Sequence, residues 1–182
     1  MRVIGGSLKG RGLAAPAGRG LRPTSDRIRE TIFDLLGPVP LLGPVLDLFA
    51  GTGALGIEAL SRGFSPAVFV DHDPSAREFL QKNLQRCRLE AQAQIMATKV
   101  ARFLAGNRPP VPYALVLMDP PYRKGLVEPA LGRLGEGGWL AAEGTLVCEA
   151  ESGLDLPSQI GEFCLEKKRR YGDTELYLFG RV

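Results

Sequence analysis

Histidine is almost absent from this chain: His72 is the only one, and there are three cysteines, Cys87, Cys148 and Cys164. The cysteines are odd in number and show no CxxC spacing, which removes a Cys/His zinc site, and a lone histidine removes a His-based triad. No metal is expected. No stretch reaches the roughly 18 uninterrupted apolar residues of a membrane span. The opening Met-Arg-Val-Ile-Gly-Gly turns to glycine too soon for a signal peptide. A cytoplasmic protein with no membrane partner is expected. Internal repeats and low-complexity tracts are also missing.

What is present fits a globular fold. A chain of 182 residues with 45% hydrophobic and 24% charged residues is long enough to bury one sizeable core. Its charge is uneven. Residues 1–30 hold Arg2, Lys9, Arg11, Arg19, Arg22, Arg27 and Arg29 against only Asp26 and Glu30, so the remainder is slightly acidic. A basic leader on a near-neutral body suggests phosphate contact. Val3-Ile4 and Leu13-Ala14 fit a small hairpin followed by a long basic loop, and the glycines between the cations permit close backbone approach to a partner. The chain is therefore divided into a basic extension, 1–24, and a body, 25–182. The body opens with a helix that Thr24 or Ser25 can cap and that Gly37-Pro38 ends.

Val45-Leu-Asp-Leu-Phe-Ala runs as a strand into Gly51-x-Gly53-x-x-Gly56, and a helix follows at once. The glycines give a tight turn, and exposed helix N–H groups face the ligand there. The pattern matches a dinucleotide fingerprint, so NAD is one reading. Asp47 argues for another. A carboxylate inside the strand does nothing for a pyrophosphate, but it suits the α-ammonium of S-adenosylmethionine. The second strand ends in acid at Asp71-His72-Asp73. Asp71 stands near the roughly 20-residue spacing at which an acid meets a ribose. Asp73 could do this instead, or cap the next helix. His72 follows on the rim, where it could border the adenine.

The run Tyr113-Ala-Leu-Val-Leu-Met stops at Asp119-Pro120-Pro121-Tyr122. Five apolar residues ending at two prolines read as a buried parallel strand, whose carboxyl end is where ligands bind in open α/β sheets. Asp119 and the Pro120 carbonyl can accept the protons of a planar amine while Tyr122 stacks on its ring, and that describes a nucleobase amine. Helices are expected over 75–86, 100–104 and 126–134, and strands over 94–97 and 140–148. Phe163–Leu165 and Leu176–Phe179 read as a closing antiparallel pair separated by the basic run Lys167–Arg170 and a Gly172-Asp173 turn.

With these motifs in view, the sequence resembles the class I S-adenosylmethionine-dependent methyltransferases with a DPPY amine site, and most closely the RsmD family of 16S ribosomal RNA guanine-N2 methyltransferases. The specific parts are Arg2-Val-Ile-Gly-Gly6, Lys9-Gly-Arg11, Gly20–Thr24 with Asp26-Arg27, Arg29–Phe33, Asp47–Gly56 and Asp119–Tyr122. The N-terminal pieces set this family apart from DNA amino-methyltransferases, which share only the last two.

The resemblance implies a Rossmann-like, mostly parallel seven-stranded α/β sheet with its last strand antiparallel. It implies a donor site around Asp47, Phe49, Gly51, Thr52, Gly53, Asp71 and His72, giving S-adenosylhomocysteine as product. It implies catalysis at Asp119, Pro120, Pro121 and Tyr122. Where many relatives carry Asp or Asn to hold the adenine amine, this chain has Ala97-Thr98-Lys99, which leaves Thr98 or a backbone group for that task. Lys9, Arg11, Arg19, Arg22, Thr24, Arg27 and Arg29 are the expected contacts to 16S ribosomal RNA, within a small-subunit assembly particle, by a monomeric enzyme. The alternatives are a DNA adenine-N6 methyltransferase with the same site, and a non-catalytic ribosome-assembly protein that binds RNA.

Overall fold

Short apolar runs that end in turn residues fold as parallel strands, and the amphipathic segments between them cover the sheet as helices. The computed structural model describes residues 1–16, 26–37 and 42–182. Its main elements are α1 (Asp26–Leu36), β1 (Val45–Leu48), α2 (Ala54–Ser61), β2 (Ala67–Val70), α3 (Pro74–Cys87), β3 (Ala93–Met96), α4 (Val100–Leu104), β4 (Tyr113–Met118), α5 (Val127–Gly135), β5 (Leu140–Glu151), β6 (Gln159–Ile160), β7 (Phe163–Tyr171) and β8 (Thr174–Arg181). They form one sheet in the order β3-β2-β1-β4-β5-β8-β7-β6. β1 to β5 pair in parallel, and β8 pairs antiparallel to β5. This is the expected α/β architecture, with one addition. The two-residue β6 on the outer edge makes eight strands where seven were expected.

Strand order reverses beside β1. The chain winds outward from β1 to β3 and returns to β4 on the other side of β1, so the connections at their carboxyl ends diverge and open a crevice. One core cluster lies on the α1–α2–α3 face, with Ile32, Phe33, Ile57, Leu60, Leu80 and Leu84 buried against Leu115 and Leu117. The other packs Val100, Leu104, Leu131, Leu134 and Trp139 against Val116 and Met118. β1 and β4 are buried along their whole length, as strands covered on both faces must be.

The first residues dock onto the body. Arg2 and Gly12 form the antiparallel bridge of the expected hairpin, and Val3 and Leu13 enter the first core cluster. An irregular segment at a packed surface must find partners for its backbone. Here buried side chains of α2 and α3 provide them. The Glu58 carboxylate accepts the N–H groups of Ile4 and Gly5, each at 2.8 Å, and Asn83 brackets Ala14 by accepting its N–H at 2.7 Å and donating to its carbonyl at 3.0 Å.

Two expectations are corrected here. Arg29, counted among the RNA-facing arginines, is fully buried. Its Nη2 donates at 2.7 Å to both the Arg2 carbonyl and the Asp26 carboxylate, so it fastens α1 to the N-terminal segment and presents nothing to a partner. Arg29→Ala is therefore expected to lower unfolding stability by about 2 kcal/mol in a denaturant titration, while an exposed arginine would change it by less than about 0.5. The basic run Lys167–Arg170 is part of β7 and not a connection between strands. Its four basic residues are all exposed, so no apolar alternation showed it as strand, and a bulge between Leu165 and Lys167 precedes it.

Candidate active site

The crevice beside β1 is a cavity of about 490 Å³, lined among others by Asp47, Phe49, Gly51, Thr52, Asp71, His72, Asp119, Pro120, Pro121 and Tyr122. Residues that the sequence places in two separate motifs therefore share one space, because β1 and β4 are neighbours in register (Leu48 beside Met118).

On the β1 side the backbone bends sharply. Phe49, Gly51 and Gly53 all have positive φ, at 61°, 55° and 77°. Phe49 is the exception among them, since a non-glycine residue there is strained by roughly 1–3 kcal/mol, a cost typical of functional sites. Gly56 is required by contact, not by φ. A Cβ there would stand 2.9 Å from Asp47 Oδ2 and run into the Phe69 ring. In its place the Gly56 N–H donates to Asp47 Oδ2 at 2.9 Å. Asp47 is 1% exposed. Burial, with the negative charges of Asp119 and Asp71 adding to it, outweighs the Gly56 hydrogen bond and pushes the Asp47 carboxyl up to about 8. A carboxyl so placed gains most from a ligand cation.

Asp71 ties the turn to the next loop. Its two oxygens accept the N–H groups of Gly51 and Asp73, each at 2.8 Å. Asp73 caps α3 by accepting from Ser75 N–H at 2.8 Å, and it also lines the cavity. His72 is largely exposed, with Nδ1 3.8 Å from Asp71.

On the β4 side the strand ends at Met118, and Asp119, both prolines and Tyr122 line the cavity beyond it. The Tyr122 hydroxyl donates to Glu149 Oε1 at 2.7 Å and stands 2.7 Å from Thr174 Oγ1. Its single proton goes to the carboxylate, so Thr174 donates to the phenol oxygen. Burial pushes the Tyr122 phenol well above its ordinary range, which keeps that proton in place. The ring is thus fixed by its hydroxyl, which the sequence reading left without a role.

Some expected residues lie elsewhere. Gly53 is buried beneath Leu80 and shapes the turn without lining the cavity. Thr98 lies in a separate, shallow depression with Met96, Ala97, Arg102 and Phe103. Lys9 and Arg11 are exposed on the N-terminal loop, and Arg27 is exposed on α1. Arg19, Arg22 and Thr24 fall outside the described residues.

Ile28, Leu126, Glu149 and Thr174 are among the lining residues that the sequence did not mark out. Glu149 had a signal. It is an acid at the end of the apolar run Leu146-Val147-Cys148, as Asp119 is after Met118. Thr174 had none, because only the antiparallel pairing of β5 with β8 brings it to this edge.

The reversal of strand order, the acid-and-glycine turn and the Asp-Pro-Pro-Tyr edge together define the class I methyltransferase fold. The chain matches the family described as Conserved hypothetical protein 95 over residues 1–180. It is 38% identical to ribosomal RNA small subunit methyltransferase D of Escherichia coli (strain K12), over 100% of this chain and 90% of that one. Identity to YlbH of Bacillus subtilis (strain 168) is 39%, over 98% of each chain. The solved yhhF structure from Escherichia coli superposes with a TM-score of 0.87 at 36% identity, over 100% of this chain and 97% of that one. This protein belongs to the RsmD family.

Proposed function

We propose that this protein transfers a methyl group from S-adenosylmethionine to the exocyclic N2 amine of a guanine in small-subunit ribosomal RNA. The observation that carries the reading is the single cavity in which the buried Asp47 and the Asp119–Tyr122 edge meet. The names of relatives that match along the whole chain support ribosomal RNA as the substrate.

The residues fit such a donor. Asp47, Asp71, Asp119 and Glu149 give the cavity an acidic lining, and the raised Asp47 carboxyl is poised to ionise against an ammonium. Asp47 would hold the donor's amino-acid end, the Gly51 turn would pass beside it, and Asp71 would face the ribose. S-adenosylmethionine supplies a methyl group already activated by its sulfonium and leaves as S-adenosylhomocysteine.

The chain's own work is on the amine. An exocyclic guanine amine is a poor nucleophile because its lone pair is delocalised into the ring. Asp119 and the Pro120 carbonyl accept its two N–H bonds, favour the pyramidal nitrogen and stabilise the positive charge that develops there. The surplus proton then leaves the methylated nitrogen for the Asp119 carboxylate or for water. Tyr122, fixed by Glu149 and Thr174, stacks on the base and replaces the stacking lost when it leaves the RNA. In-line placement by these groups can supply up to roughly 7–11 kcal/mol of the barrier.

The basic extension, together with Arg27 on α1, acts as the RNA clamp. Replacing Arg22 and Arg27 by alanine is expected to weaken RNA binding. The salt dependence should flatten by roughly 0.7–0.9 log units per lost contact for each decade of salt. Donor affinity in calorimetry should stay at the wild-type value. An unchanged salt slope would remove the clamp from the account.

A further inference from the structure

Asp119 directly follows the last residue of β4, and Glu149 lies beside that point on the neighbouring parallel strand β5. Met118 pairs with Cys148, and each acid is the next residue along its strand direction. Adjacent strands run about 4.8 Å apart, so the end of β4 delivers Asp119 close to Glu149. Both acids line the cavity, and Glu149 is only 6% exposed. The site therefore offers two carboxylates side by side, while a single carboxylate with the Pro120 carbonyl suffices to hold an amine.

Guanine is the base that such a pair fits. Its pairing edge presents two adjacent donor groups, the N1–H and the N2 amine. Adenine presents an unprotonated N1 beside its amine, so a second carboxylate would face a lone pair. We propose that Glu149 reads the target base as guanine, accepting its N1–H while Asp119 and the Pro120 carbonyl accept the N2 amine. This rests on the functional reading above and names the residue that sets its base specificity. The hydrogen bond from Tyr122 does not prevent this role, because a carboxylate has about four acceptor positions. Rejection of adenine follows from an acceptor facing an acceptor, a repulsive element of the kind specificity requires.

The test compares methylation of small-subunit particles whose target position holds guanosine or 2-aminopurine, which keeps the N2 amine and lacks the N1–H. Wild-type kcat/KM should favour guanosine by at least about tenfold, the effect of leaving a buried acceptor without its donor. Glu149→Ala should remove about tenfold of that preference, and the isosteric Glu149→Gln about threefold, since it keeps an acceptor but loses the charge. Tyr122→Phe should slow both bases by a similar factor and leave the preference intact. If Glu149→Ala and Glu149→Gln slow both bases equally, Glu149 only holds Tyr122 and the proposal is overturned. Mass spectrometry of the wild-type product separates the two levels. A methyl group on any atom but N2 overturns the functional reading and this inference together. A methyl group on N2 with a preference unmoved in both variants overturns the inference alone.

Discussion

Asp119→Ala is expected to lower the single-turnover rate of methyl transfer by about a hundredfold to a thousandfold, the usual effect of removing one group that stabilises developing charge. Affinity for S-adenosylmethionine, measured at pH 9 where Asp47 is largely ionised, should change little, because the proposed partner of Asp119 is the amine and not the donor. The loss should thus appear in kcat and kcat/KM together, the sign of an interaction made in the transition state. Removing a neighbouring negative charge should also lower the Asp47 carboxyl from about 8, since Asp119 helps to raise it. Stopped-turnover measurements at saturating donor check the first effect. A rate within threefold of wild type would mean that Asp119 does not hold the amine.

Asp47→Asn is expected to separate donor binding from stability. The wild-type carboxyl titrates near 8 in the folded protein against 3.8 as its ordinary value. The folded state therefore holds this proton more tightly than the unfolded state. The stability linked to it is fully present below about pH 4 and is lost as pH rises through about 8. An asparagine keeps an oxygen for the Gly56 N–H and has no proton to lose. The ligand-free variant should therefore melt at a higher temperature than wild type at pH 8–9, with the difference shrinking toward pH 5. Donor affinity should fall at least about thirtyfold at the same pH, because a buried charge pair with the ligand ammonium is gone. In the wild type, donor affinity should rise between pH 6 and 8 as Asp47 ionises. Calorimetry across that range checks both; a variant that binds normally would break the assignment.

Much of this arrangement was legible in the sequence, for definite reasons. Strands β1 and β4 are short apolar runs cut off by glycine or proline, and Asp47 inside the first and Asp119 just after the second both line the crevice between them. The signals failed where tertiary context decides. Arg29 sits in a cluster of arginines, and only the docking of the N-terminal segment shows that it is inside. Lys167–Arg170 has the composition of a solvated turn, and its pairing with Leu178 to Glu175 makes it strand. Tyr122 looked like a stacking ring alone until β8 brought Thr174 to its hydroxyl. Thr98 adjoins the strand end at which an adenine contact was expected, yet it opens into the depression beside α4.

The most direct measurement of the whole account is the methylated product itself. Small-subunit particles lacking the modification would be incubated with the purified protein and methyl-labelled S-adenosylmethionine, then digested to nucleosides for mass spectrometry. The account requires label in N2-methylguanosine from the small-subunit RNA, and its loss with Asp119→Ala. Label in N6-methyladenosine, label in DNA but not RNA, or particles left unlabelled while the donor binds would contradict it.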